Sequence, residues 1–240
     1  MVKIFFQNIL FFLLTGAGCF GSVMPHETAE TQPQDTLREK QFLYNGRIWW
    51  NQHIKVRGHA FYLTSDFIPG NVILKGKAYN DLKIKYDIFS DEIVLFVNPK
   101  TIIFLNKEMV DGFNLSYENV VYTVRNFGSD STSLINGYAN VLYEGPSAFY
   151  VKFLKKIEPL AEEKKYDRFY QTQKKYIMKD STLISFSGLK GLYKIMEDRK
   201  KELKDFKKDS RLNIMKNDPY TFIPLIRYYD SFQKNPVVDN

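Results

Sequence analysis

The chain has 240 residues, 44% apolar and 16% aromatic, with 20 Phe, 16 Tyr and 2 Trp against only 13 Gly and 9 Pro. That composition supports the core of one ordinary domain and excludes collagen-like, low-complexity and wholly disordered chains. Lys and Arg number 34 against 27 Asp and Glu, a net +7, and one cysteine excludes an internal disulfide framework and any multi-cysteine metal site, as three histidines argue against a three-histidine one.

Residues 1–18 read as a secretory signal peptide. Lys3 precedes an apolar run over residues 9–14, extended backward by residues 4–6, and the small residues Thr15, Gly16, Ala17 and Gly18 close it. The run is shorter than the roughly 20 residues a spanning helix needs. Cys19 follows Gly16-Ala17-Gly18 directly. This resembles a bacterial lipobox, with Gly16 where the pattern prefers Leu, and it predicts Cys19 as the lipidated first residue of a mature chain. Each buried CH₂ of an acyl chain adds about 0.8 kcal/mol of membrane affinity. Ordinary cleavage, with Cys19 lost or left free, is the alternative. Lipidation accounts better for a lone cysteine, because it needs no partner. Residues 19–40, polar and carrying Pro25 and Pro33, read as a flexible tether.

Residues 41–186 predict an antiparallel β domain. Leu82, Ile84, Tyr86 and Ile88 alternate with Lys83, Lys85 and Asp87, one face inward and one in water. Phe89-Ser90-Asp91-Glu92 then turns the chain into a second strand over 93–97. Further strands are predicted over 42–50, 60–65, 72–75, 101–106, 112–117, 120–126, 138–143 and 148–154. Pro69-Gly70-Asn71, Asn98-Pro99, Asp111-Gly112 and Gly145-Pro146 are among the turns between them. Residues 155–175 are charged and irregular and read as a long loop or a short surface helix. Residues 176–179 and 182–186 form one more hairpin around Asp180-Ser181. Strands at this spacing without intervening helices indicate an antiparallel sandwich, roll or open barrel.

Residues 187–234 predict a helical pair packed on the β domain, which makes the fold class α+β, mainly β. Leu189, Leu192, Leu203 and Phe206, with Ile195 and Met196, follow helical spacing over about six turns, interrupted at Arg199. Asp218-Pro219 is an N-cap with proline at the first helical position. The second helix runs through Phe222, Ile226, Tyr229 and Phe232, its start kinked or delayed by Pro224.

Four segments carry a family resemblance: NVILKGKAYNDLKIKYDIFSDEIVL (71–95), LNKEMVDGF (105–113), GYANVLYEG (137–145) and LKGLYKIMEDRKKELKDFKK (189–208). Together they resemble a group of exported Bacteroidota proteins with a β-rich body and a C-terminal helical pair, over most of the chain from residue 41. The resemblance implies export and that architecture. Its motifs are turns and core positions and imply no activity.

Candidate chemistry is sparse. His53 and His59 lie six apart beside Trp49 and Trp50, an even spacing that would share a face on one strand. Arg57-Gly58 breaks such a strand, and ordinary histidines are expected in place of a metal site. Asp87, Asp91 and Glu92 gather at one turn, Glu108 and Asp111 at the next. Paired carboxylates can hydrolyse glycosides across a cleft, although acids at hairpin ends are ordinary turn chemistry. No G-x-S-x-G, S-x-x-K or P-loop pattern is present, and no cofactor is expected.

Residues 152–216 hold 19 Lys and Arg against 10 Asp and Glu, leaving the rest slightly negative. Lys200, Lys201, Lys204, Lys207 and Lys208 crowd one helix, where cations suit its C-terminal dipole. Export argues against nucleic acid as partner and for an anionic lipid or lipopolysaccharide. Adjacent strand positions send Trp49 and Trp50 to opposite faces, so one is free to anchor a partner or stack on a sugar. The resulting expectation is a non-enzymatic exported accessory module of a cell-envelope assembly, outer-membrane-associated or periplasmic, anchored through lipid on Cys19. The alternatives are an open barrel that takes an apolar ligand under a helical lid and a carboxylate-based hydrolase.

Overall fold

The computed structural model describes residues 41–130, 133–159 and 166–234. The expected signal peptide, Cys19 and tether lie outside the described residues.

The strands are β1 (Arg47–Ile48), β2 (Ile68–Leu74), β3 (Lys77–Asp87), β4 (Glu92–Asn98), β5 (Thr101–Phe104), β6 (Val110–Tyr117), β7 (Val120–Asn126), β8 (Tyr138–Tyr143), β9 (Phe149–Glu158), β10 (Arg168–Lys179) and β11 (Thr182–Phe186). The helices are α1 (Gly188–Ile195), α2 (Lys200–Asp209) and α3 (Ile223–Lys234). The molecule is therefore mainly β with its helices near the C-terminal end, as expected. All eleven strands join one antiparallel sheet in the order β1-β5-β4-β3-β2-β6-β7-β8-β9-β10-β11. Two meanders thus run outward from a central β2–β6 pair.

The sheet curls into a roll. The Lys155 N–H of β9 donates to the Ile88 carbonyl beyond β3 at 3.1 Å, which brings the second meander back to the first. The segment Ala60-Phe61-Tyr62 lies along the end of β3: Tyr62 N–H donates to the Tyr86 carbonyl, and Ile88 N–H to that of Ala60. Residues 60–65 therefore serve as a seam, with one bridge from Phe61 to Asp87, and not as a ladder strand. Likewise only Arg47–Ile48 of residues 42–50 pairs as a strand, against β5.

The concave face carries Val72, Ile84, Tyr86, Ile93, Leu95, Phe113, Leu115, Tyr138, Phe149 and Ile177, all buried. Leu192, Met196, Leu203, Phe222, Leu225, Ile226 and Tyr229 from the helical end fill the same core. Alternation along the strands dictates this arrangement, because every second side chain must point into the roll.

Further expectations need correction. Pro69-Gly70-Asn71 and Asp111-Gly112 are not turns; they lie inside β2 and β6 and pair in the β2–β6 ladder or beside it. Among the described residues, 155–158 and 168–175 are strand and neither loop nor helix. They extend β9 and β10 into a ten-residue ladder from Arg168↔Glu158 to Ile177↔Phe149. The outer half of this hairpin exposes Lys156, Glu158, Arg168 and Tyr170 on one face and half-buries Lys155, Ile157 and Phe169 on the other, so polar residues interrupt the apolar period that marks a half-buried strand. The first helix is not one continuous six-turn element. It breaks at Met196 (φ −101°, ψ 44°), and a 3₁₀ turn, Glu197–Arg199, precedes α2. Lys179 explains the break, since its Nζ donates to the Ile195 carbonyl at 2.9 Å and pairs with Asp198 at 2.7 Å. The carbonyl that a continuing helix would use is thereby satisfied from β10. Further on, the Asp218 side chain caps the 3₁₀ turn Pro219–Phe222 by accepting the Tyr220 N–H at 3.1 Å. Pro224 then falls in the first turn of α3, where a missing N–H costs nothing.

Candidate functional site

β4 and β5 bury apolar side chains on both faces. Val94 and Phe104 point away from the roll yet are buried, in a separate cluster with Phe61. Residues 47–67 provide the cover, with Trp49, Phe61 and Phe67 packed around Val94 and Phe104. Gly58, at φ +86°, lets this segment change direction where an L side chain would be strained.

Between cover and sheet opens a cleft of about 410 Å³. Trp49, His59 and Phe61 form one group of rings along it: Trp49 and Phe61 have centroids 6.1 Å apart, and His59 stacks on Phe61 at 20°. His53, Phe89 and Phe169 form a second group with edge-to-face contacts of 4.8, 5.5 and 5.6 Å. Trp50 also lines the cleft and remains 61% exposed.

The polar side chains come from the outward positions of β1, β3 and β4. Asp87 and Glu92 face each other across the β3–β4 hairpin. Glu92 is ion-paired with Arg47, whose guanidinium lies 3.9 Å over the Phe104 ring. Lys85 donates to the Ser65 carbonyl and sits over the rings of Phe61 and Phe67, at 4.8 and 4.1 Å. Asp87 is only 6% exposed, and its Oδ1 accepts the N–H groups of Phe89 and Ser90 at 2.9 and 3.0 Å. Burial pushes its carboxyl above the usual range, outweighing those hydrogen bonds.

Beneath the cleft, Lys155 Nζ donates to the carbonyls of His59 and Phe61 at 2.8 and 2.6 Å. Burial lowers its ammonium to about 8, against the pull of Asp87. Burial, aided by Lys155, also holds the His59 imidazole below its usual value. No group of three metal-ligating side chains occurs among the described residues.

The structure thus gathers Trp49, Trp50, His53, His59, Asp87 and Glu92 at one site. Trp49 is half-buried against Phe61 while Trp50 stays open to solvent. The two histidines share the cleft without sharing a strand, and each packs on aromatic rings. None of Lys200, Lys201, Lys204, Lys207 and Lys208 lines the cleft. Lys201, Lys204 and Lys208 are exposed on α2, Lys207 is half-buried, and Lys200 stands 3.7 Å from Glu197. Sequence reasoning missed Arg47, Lys85, Phe89 and Phe169. The available signal was the continuous apolar runs of β4 and β5, which require cover on both faces.

Asp91, on the inner side of the same turn, has a different environment. Its Oδ1 accepts from the Tyr86 hydroxyl at 2.7 Å, and its Oδ2 accepts from Lys107 and Lys152 Nζ at 2.7 and 2.8 Å. Burial alone would raise this carboxyl, but the two ammonium groups and the tyrosine hold it below its usual value. Gly137 (φ +73°) sits so close that a Cβ there would collide with the Asp91 carboxylate. This cluster closes one end of the core.

No helix among the described residues is long and apolar enough to cross a membrane. Comparisons with family models, with curated proteins and with solved structures returned no match.

Proposed function

We propose that the chain is a non-enzymatic, exported accessory module of a bacterial cell-envelope assembly. Lipid on Cys19 anchors it at the outer membrane, with a periplasmic location if the anchor is absent, and the outer-face cleft grips its partner. The observation that carries this reading is the placement of Trp50: a large aromatic side chain, mostly exposed, at a recess that also offers paired and hydrogen-bonding groups. Such anchors dominate recognition surfaces. The exposed lysines of α2 offer a secondary contact for anionic lipid or lipopolysaccharide headgroups.

The carboxylates support holding more than cleaving. Asp87 and Glu92 stand side by side on one sheet face, one capping a turn and the other paired with Arg47, whereas hydrolysis needs carboxylates flanking the scissile bond. An apolar ligand inside the roll is also disfavoured, because Phe222, Leu203 and their neighbours fill that space.

Crosslinked capture of the full-length protein from native membranes, read by mass spectrometry, tests the proposal. The expected result is an acylated N-terminal peptide and a set of envelope proteins that weakens with Cys19→Ala and with Trp50→Ala. An unacylated chain that recovers no envelope protein would sink it.

A further inference from the structure

We infer that the cleft binds a neutral sugar, holding one or two rings of an oligosaccharide against Trp50. The inference rests on the reading of this cleft as the recognition site and names the chemistry it accepts.

Size is the first argument. About 410 Å³ falls within the roughly 300–1,000 Å³ of ordinary small-ligand sites. The second argument is the type of surface. A pyranose ring has a flat C–H face and a rim of hydroxyls, each both donor and acceptor. Trp50 and Trp49 supply flat apolar area. Asn51 and Gln52, which line the same cleft, supply amide donors and acceptors for hydroxyl groups, and Glu92 has a second oxygen beside the one paired with Arg47.

Charge is the third argument and separates a sugar from an anion. Both strong cations of the cleft are already engaged, Arg47 with Glu92 and over Phe104, Lys85 with the Ser65 carbonyl and over two rings. His59 is held toward its neutral form. A phosphate or carboxylate would have to compete with Glu92 for Arg47 and with the Ser65 carbonyl for Lys85. A neutral polyhydroxylated ligand has no such conflict, and its hydroxyls can donate to the Glu92 carboxylate.

The protein contains its own reporter, since Trp49 and Trp50 are its only tryptophans and both line the cleft. Full-length protein in detergent micelles would be titrated with chitotetraose, cellotetraose and maltotetraose, with tetragalacturonate as the acidic control. Tryptophan emission would be followed and calorimetry run in parallel. The expected result is saturable binding of at least one neutral tetrasaccharide and none of the acidic one. Trp50→Ala should weaken that binding about tenfold, the loss of one anchoring side chain, with an unchanged melting temperature.

Three results would overturn the inference. One is no saturable signal by either method up to about 10 mM, weaker than any millimolar site. Another is equal binding of tetragalacturonate. The third is a Trp50→Ala variant that binds like the parent. Failure here with Trp50-dependent capture of envelope proteins intact would remove the sugar and leave the proposed function standing. Sugar binding without a captured assembly would do the reverse.

Discussion

Asp87 and Asp91 stand four residues apart at one hairpin, on the two sides of its turn, and their surroundings drive them in opposite directions. On the outer side Asp87 is buried with the turn amides and the Ser90 side chain as hydrogen-bond partners, and its carboxyl is raised. On the inner side Asp91 is buried among Lys107, Lys152 and Tyr86, and its carboxyl is lowered. The difference teaches that burial sets no fate for a carboxylate; the partners it is buried with do. It also separates a packed region from one that borders an open cleft. The inner region is closed by rings: Tyr86, Phe113 and Tyr138 meet edge to face at 5.1, 5.7 and 5.2 Å. The outer region leaves its largest ring in water.

That contrast breaks first at Phe113. Phe113→Ala should lose about 4 kcal/mol in urea unfolding, the ordinary cost of emptying a large core position. A loss below about 1 kcal/mol would mean the ring cluster does not hold the roll. Asp91→Asn comes next, at about 3 kcal/mol by the same measurement, because it leaves the buried Lys152 ammonium without its anion. Retained stability would put the inner turn on a par with the outer one.

Acid titration sharpens the comparison by sign. Asp91 has a folded pKa below the ordinary 3.8, so its contribution is present above that value and lost as pH falls through the folded pKa. Asp87 has a folded pKa above 3.8, so its contribution is full below 3.8 and lost as pH rises through the folded pKa. Relative to the parent, Asp87→Asn should therefore gain stability as pH climbs from 3.8 toward neutrality, whereas the deficit of Asp91→Asn should be full and constant above 3.8 and shrink as pH falls below it. Parallel denaturant curves between about pH 3 and 7 check both signs. The smallest effect is expected at Trp50, where Trp50→Ala should change the unfolding free energy by less than about 0.5 kcal/mol, as exposed positions do. A larger loss would make Trp50 a structural residue.

Much of this fold is legible in the residues. The alternation from Leu82 to Ile88 places Ile84, Tyr86 and Ile88 in the core, and the strands over 120–126, 138–143 and 182–186 have the predicted bounds. What escapes the sequence depends on partners distant along the chain. The break at Met196 needs Lys179 to reach Ile195, and the extension of β9 and β10 needs pairing between stretches with no regular apolar alternation. The cleft shows the same limit. Trp49, Trp50, His53, His59, Asp87 and Glu92 each draw notice alone, but periodicity says only which side chains point inward. It does not say that residues 47–67 fold back over Val94 and Phe104, nor that Phe169, more than a hundred residues away, completes the wall.

The sheet's cover comes late in the chain. Every strand of the roll precedes Gly188, while Leu192, Leu203, Phe222 and Tyr229, which seal its concave face, follow. Until those residues are in place, the concave face lacks part of its cover, Phe222 over Phe149 among it. Exposed apolar strands of this kind are what chaperones shield and what aggregates when shielding fails. The final helices thus complete the core that the strands begin.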